Sequence, residues 1–241
     1  MNRALLKEQA KMDIDGNIGI LLLITLIISV LSALAEFILS YIPFGGIVSG
    51  IIITPAFTLS ITRIYLNLTV SVAPETKDAF SGFDDFWSAF KVSFFTRLFT
   101  SLWSLLFIVP GIIKSYSYSM ATYVLAENPG MPALECIEES KNITDGYKAD
   151  LFLLGLSFFG WIFIPFVVCL IPLAFDLFFT TTILIIAAII FECVWVYPYV
   201  QATYANAYRE LAGYSLPTSN VTDNKETVEM IDATINQDIN N

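Results

Sequence analysis

Residues 92–126 read VSFFTRLFTSLWSLLFIVPGIIKSYSYSMATYVLA, a mostly apolar run with one helix-breaking pair, Pro110-Gly111, at its middle. At ~1.5 Å rise per residue a single straight helix here would extend on the order of 50 Å, against a hydrocarbon core of ~30 Å. The chain is therefore expected to turn back at Pro110-Gly111, which makes the run a membrane hairpin.

Composition agrees. The 241 residues are 56% hydrophobic and 15% aromatic, and only 14% are charged, where a soluble domain carries roughly 25%. Mean hydropathy is +0.70. Lipid-exposed backbone must satisfy its own hydrogen bonds, and a helix does so within one segment. A β-barrel needs short alternating segments, whereas these apolar runs are continuous. The formal net charge of -10 argues against nucleic acid or anionic lipid as the main partner. Cys136, Cys169 and Cys193 lack metal or redox spacing and read as small apolar fillers. Histidine is absent, which removes the commonest general base and metal ligand.

The expected fold is all-α: a polytopic membrane bundle of six spans arranged as three hairpins. The spans are placed at about 18–41, 47–72, 92–109, 112–126, 151–170 and 177–204. The fourth is short and holds Lys114, so a tilted or re-entrant helix is the alternative there. Residues 1–212 form the membrane domain, and 213–241 a disordered acidic cytoplasmic tail. The turns at 42–46, at Pro110-Gly111 and at Ile171-Pro172 carry no Lys or Arg. Arg3, Lys7, Lys11, Lys77, Lys91, Lys141, Lys148, Arg209 and Lys225 gather on the other side. Basic residues mark the cytoplasmic face, so both termini are expected there. Ala33-Leu34-Ala35 resembles a signal-peptide cleavage site, but the apolar run continues through Phe37-Ile38-Leu39, which fits an uncleaved helix better.

Between spans two and three, Ser81-Gly-Phe-Asp84 reads as a capping box opening a short helix. Phe80, Phe83, Phe86, Trp87 and Phe90 recur near helical spacing, as in a helix lying at the headgroup level. Pro132 suits the start of a short acidic helix over 133–141.

Ionisable residues at membrane depth are the default functional candidates. Counted from the hairpin tips, Arg63 and Glu192 lie at similar depth, roughly 25 Å down, and Arg97 about 20 Å down. With Glu127 they form a candidate intramembrane polar cluster, in which Arg63 could meet Glu192. Glu36 and Lys114, both within ~10 Å of their tips, form a candidate outer pair. Such groups either line a polar path or lock helix packing. Ser115, Ser117 and Ser119 could add hydrogen bonds between helices. No catalytic motif is present. Gly155-Leu-Ser157 resembles a nucleophile elbow only superficially, inside an apolar helix and without histidine.

Pro110-Gly-Ile-Ile-Lys114, Tyr116-Ser-Tyr-Ser-Met120 and Ala126-Glu-Asn-Pro129 carry a family resemblance. So do Ala133, Ser140-Lys141, Gly146, Leu151 to Trp161, Pro198-Tyr199, the stretch from Tyr204 to Leu211, and the opening Leu6-Lys7, Ala10-Lys11 and Gly16-Asn17. Together they resemble the bacterial integral membrane family catalogued as domain of unknown function 975. A weaker pattern is similar to the membrane region attached to some glycerophosphodiester phosphodiesterases, without their catalytic domain. The resemblance implies an integral membrane fold and no activity, cofactor or catalytic residue. The expectation is a non-enzymatic accessory, assembly or envelope-stress factor of the bacterial cytoplasmic membrane. Its partners would be the lipid bilayer and another membrane protein, with no nucleic acid and no cofactor. The alternative is a small transporter or channel.

Overall fold

The computed structural model describes residues 1–42, 45, 49–173 and 178–214, and every regular element among them is helical. In chain order the helices are α1 (Arg3–Ile14), α2 (Ile18–Leu39), α3 (Thr54–Leu68), α4 (Phe86–Leu106) and α5 (Ile108–Tyr118). Then come α6 (Ala121–Glu127), α7 (Ala133–Ile143), α8 (Lys148–Leu173), α9 (Phe178–Phe191) and α10 (Tyr197–Leu211). A π turn, Ser49–Ile53, leads into α3, and a second, Glu192–Val196, leads into α10. A 3-10 helix, Thr76–Phe83, joins α3 to α4. Among the described residues four helices are long and apolar enough to cross a membrane: Ile18–Leu39, Gly50–Leu68, Lys148–Cys169 and Phe179–Leu211.

α3 is the hub. Ten of its fifteen residues are buried, so it is enclosed on most sides. It packs against the 3-10 helix, α4, α6 and α10. α1 lies along α10 and buries Leu6, Gln9, Ala10 and Ile14, the one-face spacing of an amphipathic helix. α2 behaves oppositely. It buries only Leu21, Ile24 and Ile28, while Leu26, Leu34, Phe37 and Ile38 are exposed. α8 and α9 pair with each other and likewise expose apolar residues such as Phe163, Ile164, Ile186 and Ile190. Surfaces of this size and polarity suit hydrocarbon or a partner helix rather than water.

α4 and α5 pack against each other, and the chain does not turn between them at Pro110-Gly111. The single extended residue Phe107 (φ -157°, ψ 143°) separates the two helices. Pro110 lies in the first turn of α5, where its missing N–H would have had no intrahelical partner in any case. Gly111 is instead the contact point. A Cβ there would lie 2.7 Å from Ser104 Cα, so only glycine lets the helices approach so closely. The run expected as 112–126 is two helices, broken at Ser119 and Met120. α8 continues through Ile171-Pro172 to Leu173, so those residues are not a turn. The tip at 43–44 and 46–48, the start of span six at Leu177, and the tail beyond 214 lie outside the described residues.

The capping box also sits earlier than expected. Glu75 and Asp78 form it, at the start of the 3-10 helix. Ser81 lies inside that helix and donates to Asp78 O at 2.8 Å. Gly82 presses on α3, and a Cβ there would stand 2.8 Å from Ser60 N. Its own N–H donates to Ser60 Oγ at 2.8 Å. The aromatic run continues along α4 as a ladder of rings from Phe83 through Phe86, Trp87, Phe90, Phe94 and Phe95 to Phe99.

Both π turns precede a proline, Pro55 and Pro198. A proline ring clashes with the carbonyl four residues back, here that of Ile51 or Val194. Each of those carbonyls lies within a π turn, whose wider spacing relieves the clash.

Candidate functional site

The predicted polar residues do not meet one another. Arg63, Arg97, Glu127 and Lys114 each have a partner elsewhere, and most of these partners tie one helix to another. Arg63 reaches outward from α3 and donates to Ser81 O at 2.5 Å and to the Asp85 carboxylate. It thereby fixes the start of α4 to the hub. It does not pair with Glu192. Asp85, the N-cap residue of α4, makes no capping bond because Arg63 takes its carboxylate.

Glu127 ends α6 and forms the most elaborate tie. Arg209 Nη1 lies 2.6 Å from Glu127 Oε1, and both side chains are largely buried. Tyr208 OH donates to Glu127 Oε2 at 2.7 Å. Arg209 Nε donates to Thr69 Oγ1 at 3.1 Å, which brings in the end of α3. Its guanidinium also lies over the Tyr214 ring, 4.8 Å from the centroid. The Glu127–Arg209 pair therefore joins α3, α6 and α10.

Arg97 Nη1 donates to Gly50 O at 2.8 Å. Gly50 belongs to the first π turn, where the irregular ladder leaves a carbonyl available. Glu192 opens the second π turn, and its Oε1 is buried with no hydrogen-bond partner among the described residues. Glu36 is exposed on α2 and makes no ion pair with Lys114. Lys114 instead stands over the Trp103 ring at 5.0 Å, across the α4–α5 hairpin.

Two ties were not anticipated. Asn206 Nδ2 donates to Asp13 Oδ2 at 2.6 Å, holding α1 on α10. Burial raises the Asp13 carboxyl above the ordinary carboxylate range, against the opposing pull of the Asn206 hydrogen bond. Ser140 Oγ donates to Ser117 O at 2.8 Å and accepts from Met120 N at 3.2 Å, clamping α7 across the break between α5 and α6. The hydroxyls of Ser115, Ser117 and Ser119 bond back to their own helix, to Ile112 O, Ile113 O and Tyr116 O. Ser157 Oγ also turns back, to Leu154 O at 2.5 Å. Asp13, Asn206 and Ser140 lie in ordinary helical sequence, and only the packing of distant elements reveals their roles. Cys136 and Cys169 are buried, while Cys193 is exposed.

The family model described as "Protein of unknown function (DUF975)" matches residues 1–114 and 107–215. The chain belongs to this family. The matched segments of the DUF975 chain take in the α4–α5 hairpin, the π turns and both halves of the Glu127–Arg209 tie. No curated protein and no solved structure matches the chain.

Proposed function

We propose that this DUF975 chain is a non-enzymatic accessory, assembly or envelope-stress factor of the bacterial cytoplasmic membrane, working through helix packing and a membrane partner. In this reading it crosses six times, as three hairpins with both termini cytoplasmic. The observation that carries it is the pairing of Arg63 with Asp85 and of Glu127 with Arg209. Charges spent on ties between helices are not free to pass a solute along a path. The six-span count adds the α4–α5 hairpin, continued by α6, to the four long apolar helices. Four crossings and six crossings alike leave the termini on one side, and the loop lysines and arginines make that side the cytoplasm.

Liposomes containing the purified chain test the reading. They are expected to pass ions and small solutes no faster than empty liposomes. Flux that disappears in a folded Glu192→Gln variant would overturn it. That outcome belongs to the second reading, a small transporter or channel, which the unpartnered Glu192 Oε1 favours. A pull-down from native membrane would identify the partner.

A further inference from the structure

The cations of α1 stand in a row and, like Lys91, Arg97, Lys114 and Lys141, have no carboxylate partner among the described residues. Arg63, Lys77, Lys148 and Arg209 each have a carboxylate partner. Arg3, Lys7 and Lys11 form no ion pair among the described residues. Their spacing of four puts them one above another on a single helix face. That face borders a cleft of about 690 Å³ between α1, α8 and the second π turn.

The cleft is graded from charge to oil. Lys7 Nζ stands 4.4 Å from the Phe158 ring centroid, and Lys11 Nζ stands 5.8 Å from that of Tyr199. The two rings meet edge to face, 5.4 Å apart, so each ammonium stands over its own ring of one packed pair. Trp161 and Trp195 come next, each more than half exposed. Ile18 and Phe191 continue the lining, and the exposed apolar faces of α8 and α9 extend beyond. Asp15 is the one acid among the described lining residues, four positions beyond Lys11.

We infer that this cleft binds one anionic glycerophospholipid, its phosphate between Lys7 and Lys11 and its acyl chains along Trp161 and Trp195. The charge is complementary, because two ammonium groups share the cleft with one carboxylate, Asp15, and neither forms an ion pair with it. The order of parts matches a lipid at an interface: cations at headgroup level, tryptophans at the boundary, apolar side chains below. A soluble anion would have no use for the apolar lining. Burial, then the nearby Arg3 and Lys11, lowers the Lys7 ammonium below its ordinary pKa, and a bound phosphate would relieve that strain on the charge. The net charge of -10 does not oppose the assignment, since it is a whole-chain figure. Five of the acids, against one lysine, lie beyond Gly213. The inference is independent of the accessory reading, because a transporter could hold the same lipid.

Native mass spectrometry of the full chain released from mixed phosphatidylglycerol and phosphatidylcholine bilayers tests it. The wild type is expected to retain phosphatidylglycerol in preference to phosphatidylcholine. Lys7→Gln with Lys11→Gln should weaken that retention on the order of thirtyfold, from two surface cations. Lys77→Gln with Lys91→Gln, an equal loss of charge away from the cleft, should leave it unchanged. Equal retention of both lipids by the wild type overturns the inference and needs no variant. So does undiminished retention in a folded Lys7/Lys11 variant. Displacement of the lipid by inorganic phosphate also overturns it, by making this a site for a soluble anion.

Discussion

At the scale of single residues, the molecule uses its buried polar groups as fasteners. Arg209→Ala leaves Glu127 largely buried beside Tyr208 with no cation, and such losses cost about 3 kcal/mol or more. A drop in melting temperature in detergent, with Glu127→Gln restoring part of it in the double variant, is the expected result. Asp13 gives a prediction with a definite sign. Its folded-state pKa is raised, so the ionised form costs stability, and stability falls as pH rises from the unfolded value near 3.8 through the raised folded one. Asp13→Asn keeps an acceptor for Asn206 and should melt higher at neutral pH. Melting curves below the unfolded pKa should show the gain vanish. Cys136 is sheltered, with burial pushing its thiol up to about 11, and Cys193 is exposed. A small membrane-permeant maleimide should modify Cys193 and spare Cys136 in the folded chain. Sequence reading found Arg63, Arg97, Glu127 and Glu192 because charge in an apolar run is conspicuous. Arg63 meets Asp85 and not Glu192, because depth counted along straight helices gives a height and no azimuth. Asp85 lies at the foot of the next helix, closer through the 3-10 connection than any residue matched by height.

At the scale of elements, Pro110-Gly111 shows how a strong local signal can mark a break between two packed helices and still misplace the turn. Helix-breaking propensity marks both the first turn of a helix and its end. Only the contact with Ser104 tells which applies here. Pro110→Ala should therefore cost little. Gly111→Leu should cost 1–3 kcal/mol from overpacking the α4–α5 crossing, read as a fall in melting temperature. Phe107 is 70% exposed at the turn and is the place to ask how deep the hairpin goes. In a cysteine-free background, Phe107→Cys should react with an impermeant maleimide added outside if the hairpin crosses. Protection from both sides would make it a re-entrant loop in a four-span chain. The aromatic stripe was legible because its spacing is local. The break at Ser119 and Met120 was not, since Ser140 imposes it from α7.

At the scale of the whole molecule, the helical class was plain from composition, because long uninterrupted apolar runs leave few other ways to satisfy a backbone. The uneven burial was hidden. α2, α8 and α9 are as apolar as any core helix, yet they face outward, whereas the less apolar α3 is enclosed. Hydropathy measures the oiliness of a segment and is silent on whether lipid or protein surrounds it. In the proposed topology Tyr41→Cys and Tyr214→Cys should label from opposite sides of the bilayer, because there the first follows an outward-going helix and the second follows the last one. Labelling from the same side would refute the even count of crossings. The paired π turns carry a historical implication. Such a turn is what an α-helix becomes on gaining a single residue, and here each gain lies just ahead of a proline it accommodates. Genomes that encode cousins of this chain should therefore contain versions one codon shorter within 49–53 or 192–196, and those versions should lack the corresponding proline.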